Sequence, residues 1–101
     1  MIQLLVTITV AVTLVATSAS VFNPVHLKRL KETNECVGCE LSKANLSITN
    51  LTYAFLYNAN LRFADLSGAN LSGAYLSLTL MNGAIFCNTT MPDGSVLYSG
   101  C

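Results

Sequence analysis

The sequence predicts an all-β solenoid, a β-helix preceded by a short N-terminal capping helix, and three observations carry that reading. An apolar side chain returns every fifth residue through Leu41, Leu46, Leu51, Leu56, Leu61, Leu66, Leu71, Leu76, Met81 and Phe86. A small side chain stands two residues before each, in the series Cys39, Ala44, Thr49, Ala54, Ala59, Ala64, Ala69, Ala74, Thr79 and Ala84. Neither regular element accepts this period. On an α-helix five residues advance about 140° net of a full turn, which scatters the leucines around the circumference. In a continuous strand an odd period sends successive leucines to opposite faces. The chain must therefore change direction once per repeat. Taking the leucine as position i, residues i−2 and i point the same way in an extended segment, and i+1 and i+2 are polar or Gly, as in Ser67-Gly68, Ser72-Gly73 and Asn82-Gly83, and suit a corner. Coiling then sends every leucine and every small residue into one shared interior.

Composition sets the outer bounds. With 101 residues, 52% hydrophobic and 10% charged, the chain is one small domain and too apolar to be intrinsically disordered. Five basic and five acidic residues give a formal net charge of zero, which argues against a nucleic-acid partner, since such binding rests on a basic patch or stripe.

Residues 1–20 read as a signal peptide. The first 25 residues carry no charged side chain, and Ile2 to Ala16 is the most apolar stretch. As a helix those fifteen residues would span about 22 Å, short of the roughly 30 Å hydrocarbon core. The small residues Ala16 to Ser20 suit a signal peptidase, with cleavage after Ala19 or Ser20. No Lys or Arg precedes the apolar run, so an uncleaved membrane anchor is the alternative; otherwise the membrane enters only through export.

Residues 21–38 read as the capping helix and its lead-in turn. Asn23-Pro24 has the form of an N-cap followed by Pro at the first helical position, where its missing N–H costs nothing. Leu27 and Leu30 are spaced i, i+3, which predicts an amphipathic helix from about Pro24 to Glu32, with Lys28, Arg29 and Lys31 on a solvated face. Residues 39–88 are the repeat, and 89–101 a tail predicted to fold over the outward apolar residues Leu78, Leu80 and Ile85 and so cap the open end.

Ala44-Asn45-Leu46-Ser47, Ala64-Asp65-Leu66-Ser67 and Ala69-Asn70-Leu71-Ser72 resemble the A-[DN]-L-x-x motif of the pentapeptide-repeat family. The resemblance implies a right-handed quadrilateral β-helix with four pentapeptides, hence twenty residues, per coil. The flanks, Cys36-Val-Gly-Cys39-Glu-Leu41 and Cys87 to Ser95 ending in Ser99-Gly-Cys101, resemble small exported members of cyanobacterial type. That implies a periplasmic, thylakoid-lumen or extracellular location and assigns no activity.

Four cysteines are the strongest chemical signal. An even count in a small exported domain reads as structural disulfides. Of the three connectivities, separation along the solenoid favours Cys36 with Cys39 and Cys87 with Cys101, because the bond needs Cα atoms within about 7 Å. A redox Cys36-x-x-Cys39 is the alternative; a metal site is not expected, since fourteen residues separate the second pair.

Catalytic groups are sparse. His26 is the single histidine, and the twenty-residue coil sets Asn45 beside Asp65 and Asn60 beside Glu40 without pairing two carboxylates. No enzyme activity and no cofactor are expected. The same stacking sets Phe55 against Tyr75 on an outer face, with Tyr53 and Tyr57 beside them, a candidate contact surface for a protein partner. An exported structural or protein-interaction module is the leading expectation. Mimicry of DNA to inhibit a gyrase-like enzyme is the second, weakened by the neutral charge and short chain, and a thiol redox role through Cys36 and Cys39 is the third. Partner identity and oligomeric state are not legible.

Overall fold

The computed structural model describes residues 21–101; the signal peptide or anchor read at residues 1–20 lies outside the described residues. Helix α1 spans Pro24–Thr33. Asn23 caps it, its side chain accepting from the Val25 N–H at 2.9 Å, with Pro24 in the first turn as expected. Asn34 ends it in the left-handed conformation, φ 65°, and its N–H returns to the Leu30 carbonyl. Leu30 is fully buried, and Phe22 and Leu27 pack against the core. The helix is also pinned through backbone: the Asn23 N–H donates to the Glu40 carbonyl, and His26 Nδ1 accepts the Glu40 N–H, both at 2.9 Å.

Beyond the helix the chain coils with a pitch of twenty residues. Parallel bridges join Glu35 to Phe55 and on to Tyr75, Glu40 to Asn60 and Leu80, Asn45 to Asp65 and Ile85, and Asn50 to Asn70 and Thr90. These form four columns, one for each pentapeptide of a coil. The ladder begins at Glu35, inside the segment read as the lead-in turn, and ends at Thr90. Bonds alternate upward and downward: Leu61 N–H donates to the Leu80 carbonyl at 2.7 Å and Leu80 N–H to that of Ala59 at 3.0 Å.

The bridging residue is i−1, and its neighbours i and i−2 point inward. The core is accordingly the leucine series through Leu71 and the small series through Ala74, with Cys36 and Cys39 occupying the first position of each; Thr49 is half-buried. The polar substitutes Thr79 and Thr89 fit because each hydroxyl donates to a carbonyl of the coil below, Leu56 and Leu66 respectively, at 2.6 Å.

The corners explain why the motif carries Asn or Asp at i−1. Its side-chain oxygen accepts the N–H two residues on, as in Asn45 to Ser47 (3.1 Å), Asn60 to Arg62 (3.1 Å), Asp65 to Ser67 (3.0 Å) and Asn70 to Ser72 (2.9 Å). Residue i+3 then donates back to the carbonyl of i, for example Ala64 to Leu61 at 3.1 Å. Position i+2 has positive φ, the signature of a type II turn.

Position i+2 is not reserved for polar residues or glycine, contrary to the sequence reading. Ile48, Tyr53, Phe63 and Leu78 stand there at φ 53–60°. Three of them face a glycine. One coil above Ile48, Tyr53 and Phe63 lie Gly68, Gly73 and Gly83, and a Cβ on either of the last two would clash with the ring beneath it. Each glycine thus leaves the space that its neighbour's side chain covers.

The C-terminal tail makes a small hairpin. Strand β1, Thr89–Thr90, pairs antiparallel with β2, Val96–Leu97. Phe86 N–H donates to the Ser99 carbonyl at 2.9 Å, and Gly100 rests on Ile85. The expectation that the tail covers Leu78, Leu80 and Ile85 holds for Ile85 alone. Leu78 is 78% and Leu80 41% exposed. The turn closed by Met91 N–H on the Ser95 carbonyl (2.7 Å) folds the tail back on Thr89–Thr90, too far around the coil to reach them.

Candidate functional site

Phe55 and Tyr75 occupy one bridged column at i−1, so the pleat turns both outward and the coil pitch stacks them. Their ring centroids are 4.9 Å apart and the planes 4° from parallel. Tyr57, at i+1 on the same side, joins them at 6.4 Å from Phe55 and 5.7 Å from Tyr75. Exposures of 38% for Phe55 and 42% for Tyr75 leave part of each residue open to solvent while the facing sides of the rings are spent on each other. Tyr53 does not belong to this group. As an i+2 residue it turns the corner and lies over Gly73, 67% exposed. Sequence reasoning treated Tyr53 and Tyr57 alike because both flank Phe55; the positive φ of Tyr53 separates them. Phe63, 59% exposed over Gly83, was missed, although its i+2 position and the glycine twenty residues later were the available signal.

The structure pairs Cys36 with Cys39 and Cys87 with Cys101, with Cα separations of 5.3 and 4.8 Å. Cys36 and Cys39 are fully buried beneath α1, where Cys36 Sγ lies 3.2 Å from the His26 carbonyl. Buried in this way, the disulfide is shielded from an attacking thiolate. Among the described residues no three His, Cys, Asp or Glu side chains gather into a metal-binding group.

Three carboxylates, Glu40, Asp65 and Asp93, serve turns, each accepting the N–H two residues on. Asn60 Nδ2 donates to both Glu40 oxygens, at 3.0 and 3.1 Å. Glu40 is held below its ordinary value first by the hydrogen bond of the Ser42 side chain, then by the Ser42 N–H, Asn60 and Arg62, against a desolvation that raises it. Asp65 and Asp93 are lowered likewise by the serine two residues on, Ser67 and Ser95. Groups lowered on folding contribute stability above their unfolded values, and lose it as pH falls through the folded ones. Thermal unfolding followed by circular dichroism should therefore give a lower Tm at pH 3 than at pH 7. Asp65→Asn keeps the acceptor, as Asn45 and Asn70 do, and should narrow that gap; an equal gap in the variant would remove Asp65 from the account.

Eight copies of the pentapeptide repeat are matched by that family's model, over residues 39–77 and 64–93. No curated protein matches. Among solved structures, the chain is similar to HetL, a pentapeptide repeat protein involved in heterocyst differentiation regulation from Nostoc sp. strain PCC 7120, at 27% identity and TM-score 0.29, over 62% of this chain and 43% of HetL. It is also similar to the pentapeptide repeat protein Rfr23 from Cyanothece 51142, at 21% identity and TM-score 0.25, over 59% of this chain and 92% of that one. The family match spans more than half of the chain and falls on the coils whose columns repeat every twenty residues, and on that footing this chain belongs to the pentapeptide-repeat family.

Proposed function

We propose that the chain is a small exported, non-catalytic protein-interaction module, built as a right-handed quadrilateral β-helix, with the face around Phe55, Tyr57 and Tyr75 as its contact surface. One observation carries the reading: three stacked rings stand on a solenoid whose other bridging columns present mainly Asn, Asp and Glu. Aromatic anchors supply contact area at little entropic cost, and these residues remain partly exposed here. The four-column coil supports the quadrilateral section. A DNA-mimic role is disfavoured by the zero net charge, and a thiol redox role by the burial of Cys36 and Cys39.

A photo-crosslinking residue at Tyr57 should capture a partner from the native envelope fraction, and the same probe at Asn45, in another column, should not. Phe55→Asn with Tyr75→Asn copies residues found at equivalent positions and should fold but lose the crosslink; undiminished capture would sink the surface. Export is checked separately by the intact mass of the native protein, which should lack about twenty N-terminal residues and show no alkylatable thiol.

A further inference from the structure

We propose that Asn82-Gly83 is a site of spontaneous deamidation, at which the folded protein acquires one carboxylate without an enzyme. The Gly83 nitrogen attacks Asn82 Cγ, the N–Cγ bond forms, and the Cγ–Nδ2 bond breaks. Ammonia leaves carrying the proton of the Gly83 N–H, and the ring so formed is a succinimide. Water then opens either carbonyl to give aspartate or isoaspartate. The sum is amide plus water to acid plus ammonia, with no change of oxidation state.

The reaction needs an accessible side-chain amide followed by a free backbone nitrogen, and among the described residues only this pair offers both. Asn82 is exposed, and its side chain makes no hydrogen bond. At every corner from Gly38 to Gly73 the i+2 N–H is tied to the coil above, as Phe63 is to Asn82 at 3.0 Å, Gly68 to Cys87 at 2.9 Å and Gly73 to Pro92 at 3.0 Å; the later corner residues Leu78 and Asn88 lack that bond but follow Ser77 and Cys87, which carry no side-chain amide. Gly83 lies at the uncovered edge of the last coil, and its N–H has no acceptor. Leu46, Leu51, Leu61 and Leu71 follow Asn45, Asn50, Asn60 and Asn70, and each N–H is bonded to the next coil at 2.7–2.8 Å. Ala59 and Thr89, after Asn58 and Asn88, are closed into their turns at 3.1 and 3.2 Å. Glu35, after Asn34, donates to Thr33 Oγ1, and Pro24, after Asn23, has no N–H. The second sequence of this kind, Asp93-Gly94, is blocked as well: Gly94 N–H donates to the Met91 carbonyl at 2.9 Å, and the Asp93 carboxylate is engaged by Ser95.

The product carries one negative charge on a chain of net charge zero, and the isoaspartate form adds a backbone carbon at the corner where Phe63 N–H bonds the Asn82 carbonyl. The oxidised protein, incubated at neutral and mildly alkaline pH and mapped by fragmentation that separates aspartate from isoaspartate, should convert at Asn82 several-fold faster than at any other asparagine. The rate should rise with pH, because the attacking nitrogen must lose its proton. Asn82→Ser, which copies Ser67-Gly68 and Ser72-Gly73, should fold and show no charge variant. Conversion of the chain unfolded in denaturant but not of the folded protein would overturn the proposal, as would faster conversion at any other asparagine.

Discussion

Leu61→Ala should lower the unfolding free energy by about 3–5 kcal/mol, the range for a leucine removed from a core that cannot collapse around the gap. Leu61 is wholly buried, and the coil register sets Leu41 beneath it and Met81 above. Both neighbouring coils are fixed at hydrogen-bonding distance, since Leu41 N–H donates to the Asn60 carbonyl at 2.8 Å and Leu61 N–H to that of Leu80 at 2.7 Å. The cavity therefore cannot close without breaking the ladder. In a domain of this size such a loss is at least about 12 °C in Tm. Leu78→Ala supplies the control, because Leu78 is 78% exposed at a corner with no glycine above it, and should move stability by less than about 0.5 kcal/mol. Urea unfolding of the two variants decides the matter: equal losses would mean that the leucine series does not hold the solenoid together.

The difference between those two leucines marks how far the sequence could be read. A five-residue period has one physical solution, a chain that bends once per repeat, so the inward columns, the outward i−1 residues and the corners all follow from counting. The Phe55–Tyr75 stack follows too, once the coil is twenty residues long. What counting could not resolve is conformation within the corner. Position i+2 takes a positive φ whatever residue stands there, because the corner is a turn closed by the bond from the i+3 N–H to the carbonyl of i, as in Ala64 to Leu61. Tyr53 was consequently grouped with its neighbour Tyr57, and Leu78 with the apolar set expected beneath the tail. The tail itself has no period, and its path depends on a turn at 91–95 and on one disulfide, neither of which fixes direction in sequence alone. The candidate site was legible where it rested on register and illegible where it rested on backbone sign.

Removing the second disulfide, by Cys87→Ser with Cys101→Ser, should cost about 3 kcal/mol, the loop-closure value for fifteen residues. The loss should be larger than that for Cys36 and Cys39, whose four-residue loop is worth about 2 kcal/mol on the same entropic account. Placement matters more than the difference in magnitude. At the helix end the core is sealed by α1, which buries Leu30 and fastens Asn23 and His26 to the Glu40 backbone. At the far end Leu76, Met81, Phe86 and Met91 are only partly buried, and the tail that shields them is two residues of hairpin, the Phe86 to Ser99 bond and the cystine. Without the cystine the chain end has little to hold it, since Val96, Leu97 and Tyr98 are themselves exposed. Amide hydrogen exchange should show this as lost protection at Phe86 and Thr89 while Leu41 and Leu46 stay protected, a solenoid that frays from its C-terminal coil. Uniform loss of protection along the coils would instead mean that the tail is one cooperative unit with the repeats.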